Sequence, residues 1–212
     1  MPAKAITIAQ QKGGAGKTTL AAQLAVAWHA AGRRVALLDV DPQGSLTAWG
    51  RVRLERVGDG PKVIEIAGWK MSTELDRMKR DFDIVVIDSP PHAETDARVA
   101  VRAADLVLMP VQPSPMDLWA IAPTLELARK EKTRVLLVLN RMPSRGRLPD
   151  AILGHIESQS LPLAQSRLGN RVSFAASMME GRGVVETAPR DPAAGEIRAL
   201  AMEIDALLGG KA

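Results

Sequence analysis

One short segment constrains this chain more than any other. An apolar run, Ala5 to Gln10, leads into Gln11-Lys12-Gly13-Gly14-Ala15-Gly16-Lys17-Thr18-Thr19, and an Ala-rich stretch with helical spacing follows at once. Glycines at such a junction let successive backbone N–H groups turn inward, and the start of a helix adds positive potential, so the segment is suited to hold an anion. In a phosphate cradle of this kind Gly13, Gly14, Ala15 and Gly16 supply backbone N–H groups and Lys17 neutralises the β and γ oxygens. The Thr18 hydroxyl reaches Mg2+, and Thr19 faces the α-phosphate. The pattern GxxxxGK[ST] asks for Gly where this chain has Gln11, and a second lysine, Lys12, stands at the loop entrance.

The rest of the chain repeats the strand-then-helix rhythm. Strand-length runs rich in branched residues occur at Ala5–Gln10, Arg34–Asp39, Lys62–Ile66, Phe82–Asp88, Asp105–Val111 and Arg134–Asn140. Between and after them, helical spacing predicts helices at Lys17–Ala31, Ser45–Leu54, Ser72–Arg80, Glu94–Ala103, Pro115–Lys130, Pro149–Gln159 and Pro192–Leu208. Gly32 is placed to end the first helix, and Ser72 or Thr73 to cap the third. Such alternation predicts an α/β fold, a single P-loop domain over residues 1–212 with a twisted, mainly parallel sheet flanked by helices on both faces. Residues 161–191 are the least readable, since Leu161-Pro-Leu-Ala-Gln-Ser and Gly183-Val-Val-Glu fit strands or edge loops.

Carboxylates fall at strand ends, where an open α/β sheet binds its ligands. Leu37-Leu38-Asp39-Val40-Asp41-Pro42-Gln43 puts Asp39 and Asp41 beside the loop, able to hold Mg2+ through water or to orient an attacking water. Phe82 to Asp88 ends in a carboxylate about 70 residues after the loop, which makes Asp88 the Walker B contact to Mg2+, and Pro90 and Pro91 stiffen the turn beyond it. With no cysteine, disulfides, thiolate metal sites and iron–sulfur clusters are excluded. His29, His92 and His155 share no ligand spacing, and Trp28, Trp49, Trp69 and Trp119 read as packing residues. No 18-residue apolar run and no signal peptide is seen, so a cytoplasmic location is expected.

Lys12-Gly-Gly-x-Gly-Lys-Thr-Thr19, the DxDPQ segment at Asp39–Gln43 and the Asp88-Ser-Pro-Pro end of the Walker B strand resemble the deviant Walker ATPases of the ParA/MinD family. By length the chain is most similar to the small ParF-like plasmid partition members. The resemblance implies ATP and Mg2+ as cofactors, with weak hydrolysis of ATP until a partner stimulates it. It makes Lys12 a residue that crosses a homodimer interface, Asp41 the water-positioning residue and a neighbour of the metal, and Asn140 a contact to adenine. The segment Leu106 to Asp117, with its Pro- and Ser-containing turn, is then a packing and dimer-contact element. A centromere-binding or adaptor protein is the implied stimulating partner.

Charge is distributed unevenly. Residues 129–182 hold ten Lys and Arg against four Asp and Glu, whereas residues 1–128 hold equal numbers. Such a segment predicts salt-dependent, sequence-indifferent contact with DNA phosphates. The family resemblance favours Arg145, Arg147, Arg167, Arg171 and Arg182 as those contacts, and so a nucleoid-associated location. Two other functions share the loop: a MinD-like membrane regulator and a metabolic P-loop synthetase. The first needs a basic amphipathic tail, and Glu196–Ala212 is acidic on its polar side, so no membrane partner is expected. For the second, no residues announce a substrate pocket.

Overall fold

The structure, a computed structural model, describes residues 3–67, 70–91, 94–145 and 148–209. Trp69, His92 and Arg147 lie outside the described residues. The strands are β1 (Lys4–Ile8), β2 (Val35–Asp39), β3 (Lys62–Glu65), β4 (Ile84–Asp88), β5 (Leu106–Val111) and β6 (Val135–Leu139). They form one sheet in the order β3-β2-β4-β1-β5-β6, every pair parallel. The crossover leaving β1 runs one way across the sheet and that leaving β4 runs the other, which opens a crevice at the carboxyl ends of the strands.

Alternation along each strand sends side chains to two helical layers. Ile6, Ile8, Leu37, Val86, Leu108 and Val138 meet α1 (Lys17–Ala30) and α10 (Pro192–Gly209), with α2 (Ser45–Arg56), α8 (Val172–Met179) and α9 (Val184–Thr187) on the same side. The opposite residues pack in two clusters on α3 (Met71–Asp81) and α4 (Glu94–Ala103), and on α5 (Pro115–Trp119), α6 (Ala122–Glu131) and α7 (Leu148–Ser158). α1 is buried almost all round, which explains its alanines: a small residue lets β2, α8, α9 and α10 all approach one helix.

Helix ends follow their local chemistry with two exceptions. Gly32, at φ 83°, closes α1, with its N–H on the His29 carbonyl at 2.8 Å and the Arg33 N–H on Trp28 at 3.0 Å. α3, however, opens at Met71, so neither Ser72 nor Thr73 is its N-cap; the fully buried Met71 side chain draws the first turn in earlier. The helix expected over Pro115–Lys130 is two helices, because Pro123 has no N–H to continue the first, and the chain bends at Ala120 and Ile121.

The unreadable segment resolves into a strap and two helices. Leu163 bridges Leu137 and Gly169 bridges Met142, so residues 161–170 run along the β6 edge without forming a strand. α10 holds this strap through two carboxylates: Glu203 accepts the N–H groups of Gln165 and Ser166 at 2.8 and 3.0 Å, and Glu196 accepts that of Gly169 at 2.9 Å. Gly183-Val-Val-Glu opens α9 and is no strand. Ile197, Leu200, Ala201, Ile204 and Leu208 of α10 are buried in the core, so the main apolar face of that helix is already covered. Among the described residues no helix is long and apolar enough to cross a membrane.

Candidate functional site: a phosphate cradle at the carboxyl end of the sheet

β1 delivers residues 9–16 to the middle of the crevice. Two amides pull the loop's carbonyls outward: Gln112 Nε2 donates to Gly14 O at 2.8 Å and Asn140 Nδ2 to Ala15 O at 2.9 Å. Those two carbonyls are thereby occupied and do not compete with an anion for the loop's N–H groups. Gly16, at φ 93°, cannot be replaced: a Cβ there would lie 2.5 Å from Asn140 Nδ2.

Lys17 opens α1 and is buried at the foot of the loop. Burial lowers its pKa, opposed by the nearby charges of Asp88 and Asp41. The Thr18 hydroxyl donates to Asp88 Oδ2 at 2.7 Å. Asp88 is buried, and burial pushes its carboxyl up to about 7, with Asp39 and Asp41 adding repulsion while the Thr18 hydrogen bond and Lys17 act against the shift. Its Oδ1 has no hydrogen-bond partner among the described residues. A buried carboxylate oxygen without a donor, beside a hydroxyl and a lysine, fits a hydrated divalent cation, which would supply the missing positive charge.

The two aspartates after β2 differ in use. Asp39 Oδ2 accepts the N–H and hydroxyl of Thr47 at 2.7 and 2.8 Å, so it ties down the first turn of α2. Asp41 is half-buried; among the described residues its carboxylate accepts only the Gln43 N–H, at 3.0 Å, and it remains near enough to Lys17 and Asp88 to act on both. Lys12 is not on the cradle. Its Nζ pairs with Asp117 Oδ2 on α5, and the Ser114 hydroxyl donates to the same oxygen at 2.9 Å.

A cavity of about 310 Å³ continues from the cradle between Gly16, Thr19 and Leu20 of α1 and the strap residues Leu168 to Val172, floored by Phe174 and Ile197. Its size and apolar lining suit a nucleoside. Asn140, expected to contact adenine, lines this cavity, with its Nδ2 engaged by the loop and its Oδ1 by the Arg141 N–H. Leu168, Asn170, Val172 and Phe174 were not foreseen, since they sit in the segment with no clear periodicity. Gln112 carried no signal beyond its position at the end of an apolar strand.

Of the arginines expected to meet DNA, Arg145 and Arg167 are exposed, the latter on a groove with Ser144 and Arg171. Arg171 is held by Glu196 at 2.6 Å and walls both this groove and the cavity beside the cradle. Arg182 is half-buried near Glu186. His29 faces Asp59 and His155 faces Gln159. Trp28 and Trp49 are core residues, but Trp119 is 68% exposed and does not pack as expected, because the short α5 turns it away from the sheet.

Comparison with known proteins agrees with this geometry. Residues 6–185 match the CobQ/CobB/MinD/ParA nucleotide binding domain. Maintenance of carboxysome distribution protein A of Halothiobacillus neapolitanus is 31% identical over 206 residues, covering 94% of this chain and 95% of that protein. The chromosome-partitioning ATPase Soj of Thermus thermophilus is 30% identical, covering 94% of each. Among solved structures, the cell division ATPase MinD of Pyrococcus furiosus superposes with a TM-score of 0.80 at 23% identity, over 96% of this chain and 99% of that one. The phosphate loop, the Walker B carboxylate and the matched span together place this chain in the CobQ/CobB/MinD/ParA family of nucleotide-binding domains.

Proposed function

We propose that the chain is an ATP-driven positioning switch, which pairs as an ATP-bound homodimer, binds DNA without regard to sequence, and lets go when a partner protein stimulates hydrolysis. The observation that carries this reading is the separation of the two lysines. Lys17 already serves the cradle of its own chain, while Lys12 stands outside it, half-exposed and held by Asp117. A cation so placed has no role on its own chain's phosphates and is free to be exchanged onto those of a second subunit.

The chain is an ATPase, as members of its family are, and works on ATP with Mg2+. The metal, when bound, withdraws charge from the β and γ oxygens. Thr18 and Asp88 would hold that metal, Asp88 through water, Lys17 would carry the phosphate charge, and Thr19 would serve the α-phosphate. Asp41, half-buried and lightly bonded, orients the attacking water. On this reading Asn140 and the strap hold the base.

For the DNA contact, Arg145 and Arg167 are the favoured residues, because they are exposed and no ion pair among the described residues engages them. Arg171 and Arg182 contribute less, one bound to Glu196 and the other half-buried. The names of the full-length relatives, carboxysome distribution and chromosome partitioning, agree with a cargo carried over the nucleoid in the cytoplasm. Plasmid, chromosome and microcompartment all remain compatible with the site, and the stimulating adaptor decides among them.

The test is light scattering and DNA cosedimentation with ATP, ADP and no nucleotide. The reading expects a dimer and DNA binding with ATP alone, and both lost in Lys12→Ala. A monomer under ATP, or DNA binding indifferent to nucleotide, refutes it.

A further inference from the structure

Two buried glutamines stand on either side of the phosphate loop and are treated differently. Gln23, in α1, is fully used: its Nε2 donates to Ser177 Oγ at 2.8 Å and its Oε1 accepts the Val184 N–H at 2.7 Å. Gln10, at the end of β1, is 2% exposed, and neither its Nε2 nor its Oε1 has a partner among the described residues. Burying an amide with both ends unpaired is costly, so it marks a group whose partners arrive in another state.

Gln10 lines a chamber of about 150 Å³ with Ser89, Pro90, Pro91, Thr124 and Leu127. Ser89 follows Asp88 directly, and both its N–H and its hydroxyl are spent on the Ile8 carbonyl, at 3.3 and 2.9 Å. Pro90 and Pro91 have no N–H. The turn that carries Asp88 therefore borders the chamber with no free N–H or hydroxyl donor on Ser89, Pro90 or Pro91, and its complement would be a donor such as the unpaired amide of Gln10.

We propose that Gln10 is a positioning residue for ATP hydrolysis: in the nucleotide-loaded chain its Nε2 donates to a carbonyl of the Ser89–Pro91 turn and thereby fixes the Asp88 carboxylate. Its Oε1 then accepts from water, for which the chamber has room at roughly 30 Å³ per molecule. This inference rests on the ATPase activity and is independent of DNA binding and of cargo.

The test compares Gln10→Leu, which keeps the volume and removes the amide, with Gln10→Asn, which keeps an amide. For Gln10→Leu, kcat per folded molecule falls about tenfold or more, as expected when a reacting group is misplaced. Its ATP affinity stays within about twofold on the same ground, since the cradle is untouched. Its Tm without nucleotide is no lower than that of the wild type, because an unpaired amide has been removed, and Gln10→Asn recovers most of the lost kcat. Unchanged kcat in Gln10→Leu overturns the proposal, and so does a lowered Tm with activity lost only in proportion and no recovery by Asn. A wild-type chain that turns over no ATP overturns the ATPase reading and this proposal with it, whereas failure to bind DNA leaves it standing.

Discussion

Lys12 and Lys17 share a nine-residue segment and differ in everything that matters to their chemistry. Lys17→Ala removes the main countercharge of the cradle, and charge-assisted bonds of this kind are each worth about 1.5–3 kcal/mol; a calorimetric titration should show ATP affinity reduced on the order of a hundredfold. Asp41→Ala should keep ATP affinity and lose about 10²-fold or more in turnover, the usual contribution of a group acting on the attacking water. Asp88 makes a pH prediction. Burial raises its carboxyl from 3.8 to about 7 in the folded chain, so between those values the folded state binds the extra proton. Stability of the nucleotide-free, Mg2+-free protein should therefore fall as pH rises from about 4 to about 7. Asp88→Asn should flatten that profile in thermal melts, and a profile parallel to wild type would contradict the assignment. The places of these residues were legible in the sequence because one contiguous loop and the ends of two strands carry them. Gln112 and Asp117 were not legible as partners of Gly14 and Lys12, since their contacts span 98 and 105 positions.

At the scale of elements, β-branched runs between helical stretches sufficed for the sheet, and the strand ends differ from expectation by only a residue or two. What escaped were elements whose reason lies outside their own residues. α8 and α9 have short apolar patterns that only acquire meaning against α1, where Gln23 reaches both. Arg53 is another such case. It is buried in α2, paired with Glu186 through both terminal nitrogens at 2.8 and 3.0 Å, and bonded to the Gly181 carbonyl at 3.1 Å. Burial works against the Glu186 charge, but the Arg53 contacts hold its carboxyl below the usual range. Arg53→Ala should cost about 2–3 kcal/mol in urea unfolding, below the ~3–5 kcal/mol of a fully buried pair because Glu186 is partly wetted. Gly60 enforces the same geometry, since at φ 146° a Cβ there would lie 1.9 Å from the Arg53 Nε.

For the whole molecule, the charge asymmetry read from composition survives in the exposed Arg145 and Arg167, the latter on a groove that meets the cavity beside the cradle at Arg171. Arg145→Ala combined with Arg167→Ala should weaken DNA binding under ATP and reduce the slope of log K against log salt by about 2, at roughly 0.9 per phosphate contact. Dimerisation under ATP should be unaffected, and an unchanged slope would remove these residues from the interface. The excess charge was legible from counting, but its division into free and neutralised arginines was not, because Glu196, which neutralises Arg171, lies 25 positions away on another element. The carboxylates that bind the strap from α10 carry a consequence for synthesis. A domain generally folds as a unit, so its last-synthesised element can be needed to complete a site encoded near its start. The phosphate loop emerges early, yet the strap that walls the cavity beside it is held by α10. A nascent chain stalled before residue 192 would carry the complete signature segment without the carboxylates that hold this wall.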